Sequence, residues 1–185
     1  MLAWTSVEPL ASPERRGCGG ERHPARASAR YHGRPGEKDP PVNYVFTTPD
    51  DPIFDQVRFL RHAVLREPIG MPFEADWDDR DPDVRHLVAV NGPQVFGYGR
   101  LVMGRDGTAR IRFMCVDPTL RRGGVGSAIV RELVDRARGE GAGLVWLNAR
   151  LMSIEFYRKF GFVEVGGLFN SEETHLPHKR MELRL

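Results

Sequence analysis

From Asn43 onward, apolar residues recur in two rhythms along this chain, one of period two and one of helical spacing. The segment NYVFTT predicts a short strand. Asp50-Asp51-Pro52 opens a helix, with acids at the first turn and proline just inside it. That helix is predicted to reach Leu65, with Val57, Leu60, Val64 and Leu65 on its buried side. REPIGMPFEADWDDRDPD is a loop interrupted by three prolines. RHLVAVN, VFGYGRLVMG and TARIRFMCV predict three strands, and the short turns NGPQ and Asp106-Gly107 make them an antiparallel meander. Ala128, Ile129, Leu133, Val134 and Ala137 then fall at helical spacing, closed by Gly139 and Gly141. LVWLNA is an apolar strand of the buried kind. SIEFYRKF is a short helix ended by Gly161, and FVEV and HKRMELRL are the last two strands. The predicted order is β-α-β-β-β-α-β-α-β-β, an α/β (α+β) domain without internal repeats.

Residues 1–41 follow neither rhythm. They are dense in Arg, Gly and Pro and nearly free of aliphatic side chains, so they cannot bury enough apolar surface to offset the entropy of ordering. The expectation is a disordered tail, or upstream sequence ahead of the true start, followed by one folded domain over residues 42–185. An Arg-rich targeting peptide or basic arm is the competing reading. Glu8, Glu14, Glu21, Glu37 and Asp39 among the bases weaken it. The net charge of +2 over 185 residues argues against nucleic acid or a membrane surface as partner. No apolar run approaches the roughly 20 residues that span a bilayer. Cys18 sits in the polar tail and Cys115 in an apolar strand, which does not suggest a disulfide framework. A soluble, cytosolic protein is expected, and no Cys/His grouping has zinc-ligand spacing.

The chemistry concentrates in VDPTLRRGGVG, between a strand and a helix. Glycines at a helix N-terminus leave backbone N–H groups open, and those donors with the helix dipole favour an anion. Side chains would block its approach, which accounts for Gly123, Gly124 and Gly126; Arg121 and Arg122 add positive charge. A tight turn alone would need one glycine. A nucleotide P-loop needs G-x-x-x-x-G-K-[ST], and no lysine follows here. A dinucleotide fold needs G-x-G-x-x-G in a parallel βαβ unit, whereas an antiparallel meander precedes this loop.

The pattern VDPTLRRGGVG, then a helix, a buried strand and FYRKFGF, resembles the GNAT (Gcn5-related N-acetyltransferase) superfamily. Its pyrophosphate motif, [Q/R]-x-x-G-x-[G/A], is matched by Arg121, Gly124 and Gly126. LNAR, FYRKFGF, the Gly-Gly-Leu-Phe stretch and LPHKRMEL are similar to the bacterial ElaA-like subgroup, so the resemblance covers about residues 43–185. It implies a mixed, largely antiparallel sheet flanked by helices, with splayed fourth and fifth strands, and acetyl-CoA as co-substrate. It further implies that the pantetheine arm bonds to the backbone of Met114, Cys115 and Val116. The loop Arg121, Arg122, Gly123, Gly124, Val125, Gly126 and Ser127 would hold the pyrophosphate. Tyr157 matches the usual general acid, which protonates the departing thiolate. Many relatives carry a Glu base on the fourth strand. Here that strand has arginines, so the base stays open among Glu74, Asp76 and His178. Arg150 stands where the family often has an Asn that contacts pantetheine.

The implied reaction is acetyl transfer to an amine by direct attack in a ternary complex, because no activated nucleophile is visible. Cys115, in an apolar strand, reads as a core thiol. The acidic loop EADWDDRDPD, with Glu74, Asp76 and Trp77, is either a solvated surface or a place that draws a cationic amine. A non-catalytic acyl-CoA-binding sensor or partner module is the competing function; it would keep the glycine loop and have no need of Tyr157. The family also implies a possible homodimer. The acceptor is not identified by sequence.

Overall fold

The three meander strands form the middle of a seven-stranded sheet. The computed structural model describes residues 42–73 and 81–185. Strand β1 (Asn43–Thr47) precedes helix α1 (Phe54–Arg61). Strands β2 (Val84–Asn91), β3 (Gln94–Met103) and β4 (Thr108–Val116) follow, then helix α2 (Val125–Gly139), β5 (Leu144–Arg150), helix α3 (Ile154–Arg158), β6 (Val163–Asn170) and β7 (Pro177–Arg184). The sheet order is β1-β2-β3-β4-β5-β7-β6. Every neighbouring pair is antiparallel except β4 and β5, which are parallel. The predicted element order and the mixed, largely antiparallel class are therefore what the chain adopts.

Helix α2 lies on one face of the sheet. Its Ile129, Val130, Leu133, Val134 and Ala137 share a core with Leu87, Leu101, Ile111, Val145, Leu147 and Met181. The helix closes where Ala142 N–H donates to Ala137 O and Gly141 N–H to Arg138 O, two bonds that satisfy its last carbonyls. Its approach to β3 is set by two glycines. A Cβ on Gly97 would stand 2.8 Å from Ile129 Cδ1; one on Gly99 would stand 2.7 Å from Leu133 Cδ1 and 3.0 Å from Met114 Sδ. Gly99→Ala is thus expected to lower stability by about 1–3 kcal/mol through overpacking. Urea unfolding measures this, and a midpoint equal to wild type would refute the close-packing account.

Helix α1 covers the other face. Phe54 and Val57 join Val88, Val90, Val95, Tyr98 and Cys115 in a second core, and Leu60, Val64 and Leu65 pack at its edge. The sequence predicts one helix to Leu65. The structure instead ends the α-form at Arg61 and continues as a wider π-type turn, His62–Arg66. Such turns insert one extra residue and often accompany binding sites. Buried Arg61 lies 4.2 Å over the Phe113 ring. Within this core, His86 Nδ1 and the Tyr98 hydroxyl are 2.7 Å apart.

Strand β4 changes face partway along. Cys115 pairs with Tyr98 and Arg112 with Arg100, so Phe113 and Met114 together oppose Gly99. This is a β-bulge, and Phe113 takes a φ of 53° within it. Ahead of the bulge, Ala109 and Ile111 belong to the α2-side core; beyond it, Met114 and Val116 do, while Cys115 turns to the α1 side. Strand β6 runs to Asn170, well past the expected FVEV, because its pairing with β7 resumes at Leu168 after slipping around Gly166-Gly167. Among the described residues no helix is long and apolar enough to cross a membrane.

Candidate active site

The parallel ladder between β4 and β5 has three partners only: Thr108 with Leu144, Ala109 with Val145 and Arg110 with Trp146. Beyond Arg110 the strands part, although β4 continues to Val116 and β5 to Arg150. Their facing backbone groups are left without a ladder partner, a costly arrangement unless something else binds there. A cleft of about 800 Å³ fills the gap. Met114, Cys115, Val116, Leu147, Asn148, Ala149, Arg150, Phe156 and Tyr157 line it.

The glycine loop stands at the open end. Asp117 Oδ1 accepts from Thr119 N–H at 2.8 Å and from the Thr119 hydroxyl at 2.7 Å, which turns the chain away from β4. Arg122 and Gly124 then take left-handed conformations, with φ of 70° and 86°. The first helical bond of α2 runs from Ala128 N–H to Gly124 O. The N–H groups of Gly124, Val125, Gly126 and Ser127 make no hydrogen bond to any described residue. Four convergent donors at the N-terminus of a long helix can hold an anion. Arg121 and Arg122 line the same end. Gly126 lies close under Val116 and the Phe156 ring, where a Cβ would meet them at 3.5 and 3.6 Å. Gly123 and Val125 belong to the loop without lining the cleft, and the Val125 side chain is buried in the core.

Tyr157 is 8 % exposed and lines the cleft from α3. Its ring is held edge-on by Phe156 at 5.0 Å and Phe162 at 5.9 Å. Its hydroxyl bonds to no described residue. Burial raises its pKa above the ordinary phenol value, so the proton stays on. Cys115 is 3 % exposed, and burial pushes its thiol up to about 12. It is a core thiol, as its apolar strand suggests, and a poor nucleophile.

Arg110 lines the cleft where the ladder stops and Arg112 lies one pleat further on; Arg66 and Arg150 line it farther along, with Glu173 as the acid among the described lining residues. Glu173 accepts a hydrogen bond from Arg66 and lies 3.6 Å from Arg112. Arg150 donates to Leu65 O at 3.0 Å, which ties β5 to the turn after α1; burial and nearby Arg66 lower its pKa. His178 also lines the cleft. Its Nδ1 is 2.8 Å from Leu176 O. A carbonyl only accepts, so Nδ1 carries the hydrogen and Nε2 is the nitrogen left with a lone pair in the neutral ring.

The structure thus brings together Met114, Cys115, Val116, Arg121, Arg122, Gly124, Gly126, Ser127, Arg150, Tyr157 and His178 around one cleft. Glu74, Asp76 and Trp77 lie outside the described residues. Sequence reading overlooked Arg66, Arg110, Arg112 and Glu173. Two arginines on β4 were visible as an oddity, but nothing local to Arg66 or Glu173 marks either as a site residue. Among the described residues no group of three or more His, Cys, Asp or Glu is placed to hold a metal ion.

Comparison with known proteins agrees with this architecture. Residues 54–162 match the model of the acetyltransferase (GNAT) family. The chain is 31% identical over 104 residues to the uncharacterized N-acetyltransferase YjcF of Bacillus subtilis, covering 56% of this chain and 74% of that protein. Among solved structures it is similar to Escherichia coli ElaA, with a TM-score of 0.67 and 21% identity over 76% of this chain and 99% of that one. It is also similar to an aminoglycoside 6'-N-acetyltransferase complexed with coenzyme A, with a TM-score of 0.61 and 18% identity over 76% and 96% of the two chains. At those identities the two structures speak for the fold, while the family match spans most of the chain's described core. A splayed β4–β5 pair, a donor-lined helix start at its mouth and this family match lead to one conclusion: the chain belongs to the GNAT family of acetyltransferases.

Proposed function

We propose that the chain is an acetyl-CoA-dependent N-acetyltransferase that works by direct attack in a ternary complex. Members of its family draw an acyl group from acyl-CoA. The observation that carries the finer reading is the set of four unbonded N–H groups, Gly124 to Ser127, at the mouth of the unpaired β4–β5 gap. These donors suit a pyrophosphate, and Arg121 and Arg122 add charge. The pantetheine arm would then run along β4 and bond to the backbone of Met114, Cys115 and Val116, filling the missing ladder.

In this reading the nitrogen lone pair of a neutral amine attacks the thioester carbonyl. The C–N bond forms, the C–S bond breaks, and the electron pair leaves on sulfur. Tyr157 gives its proton to that sulfur, and its buried hydroxyl, bonded to no described residue, is available to do so. The amine's surplus proton goes to a base; His178 Nε2 is the candidate on the described wall of the cleft. The direct route fits the sealed Cys115 thiol, which is unsuited to carry an acyl group.

The test is acetyl-CoA binding by calorimetry, followed by thiol release with a panel of amines. Binding together with amine-dependent thiol release is expected. Binding with no release across the panel would favour the acyl-CoA sensor instead, and no binding by folded, cofactor-free protein would remove the proposed activity.

A further inference from the structure

We propose that the acceptor carries an anionic group, a carboxylate or a phosphate, received by Arg110 with Arg112 where the β4–β5 ladder ends. This deepens the transferase reading above and rests on it.

The argument begins with the direction of the side chains. Ala109 and Ile111 point into the α2-side core, so Arg110 and Arg112 stand on the opposite face of β4. Val145, Leu147 and Ala149 likewise place Trp146, Asn148 and Arg150 on that face of β5. On β7, Met181 is in the same α2-side core, which leaves Arg180 and His178 on the arginine face. Three strands therefore bring their cations to one surface, on the side away from α2.

Most of these cations have a partner, and Arg110 is the exception. Glu173 already serves Arg66 and Arg112. Arg180 is bonded to Glu182 at 2.7 Å. Arg110 forms no ion pair or hydrogen bond with a described residue, and its Nε is buried without a partner. It leans on the Trp146 ring at 4.4 Å, and Arg180 leans on the same ring at 4.2 Å. Burial, and repulsion from Arg112, Arg180 and Arg100, outweigh the attraction of Glu173 and lower the Arg110 pKa to about 10. It remains charged at neutral pH. A half-buried guanidinium among like charges is costly unless an anion meets it, and a planar fork of donors suits a carboxylate or phosphate.

The Arg110 guanidinium is out of reach of the phosphates of CoA on grounds of length. From Arg110 to Val116 the strand rises roughly 20 Å, so Arg110 is remote from the helix cradle. It lies instead where the ladder ends, toward which the thioester end of the arm would point. The acidic loop around Trp77, read alone, suggests a cationic acceptor; the described wall of the cleft favours the opposite charge.

The experiment uses matched acceptors with the full chain: the twenty amino acids against their carboxamides, phosphoethanolamine against ethanolamine, and spermidine as the cationic arm. Thiol release from acetyl-CoA is the readout. The expected result is turnover of an anionic member with kcat/KM about 10- to 100-fold above its uncharged counterpart. The amino-acid and phosphoethanolamine arms separate carboxylate from phosphate. Arg110→Gln should erase that advantage by raising KM for the anionic member alone, with Arg110→Lys restoring part of it. Arg112→Gln, at the neighbouring arginine on the same face of β4, gives the same comparison if Arg110→Gln fails to fold. Preference for spermidine or the uncharged members, or no turnover of any anionic member, overturns the proposal. So does an equal fall in kcat for charged and uncharged acceptors in the variants, which would mark a role at the reacting carbonyl. Failure of acetyl-CoA to bind would instead bring down the transferase reading itself.

Discussion

Gly124→Asp is expected to weaken acetyl-CoA binding by about 100- to 1,000-fold, and Gly124→Asn by only about tenfold. Gly124 has a φ of 86°, and a Cβ there would meet nothing within 4 Å. The obstacle to substitution is therefore the backbone conformation and the ligand, not the surrounding protein. Asn and Asp tolerate the left-handed region better than other L-residues, so both variants should fold alike. They share nearly the same bulk and differ in charge. An added carboxylate beside Gly124, Val125, Gly126 and Ser127 would occupy or repel whatever those N–H groups bind. Calorimetry on the two variants separates repulsion from crowding. Equal affinity in wild type and Gly124→Asp would mean that the loop holds no phosphate.

Tyr157→Phe should lower kcat by about 100- to 1,000-fold while leaving the KM for acetyl-CoA and the folding stability close to wild type. The ring's neighbours are Phe156 and Phe162, which the substitution leaves in contact. The lost hydroxyl bonds to no described residue, so its removal orphans no known partner. The pH profile gives an independent check. Burial raises the Tyr157 pKa, which keeps the acid form present as pH rises through the ordinary phenol value of about 10. Wild-type kcat should then show no loss from this group below that value. Steady-state kinetics across pH, with both substrates varied, reads both effects. A Tyr157→Phe enzyme with unchanged kcat would assign the acid to another group.

The parts of the site legible in the sequence are those made by backbone. A cradle of N–H groups needs glycines close together at a helix start, and Gly123, Gly124 and Gly126 show this directly. The short segment around Tyr157 is likewise local, because one turn of α3 fixes its ring against Phe156. The arginine lining of the cleft was not legible as a cluster. Its members come from β4, β5 and the turn after α1, and only the sheet register brings them together. The arginines of β4 drew notice in sequence as the absence of a glutamate. The sequence predicts a strand over FVEV alone, which stops before Gly166-Gly167, residues that weaken a strand; cross-strand pairing with β7 carries β6 past them. Gly97 and Gly99 carried a missed signal: two glycines inside a strand mark the close approach of another element.

The bulge at Phe113 has a consequence for how this strand tolerates length changes. Side chains on a strand alternate, and an extra residue inverts the facing of everything beyond it unless a bulge absorbs it. Here two residues, Phe113 and Met114, stand opposite Gly99 alone. Removing Phe113 would restore the regular alternation and leave Cys115 opposite Tyr98, with Met114 and Val116 still on the α2 side. A one-residue deletion elsewhere between Thr108 and Val116 has no such slack and would turn part of the strand to the wrong face. The bulge is therefore the place where β4 can lose a residue and keep its cleft-lining side chains in position.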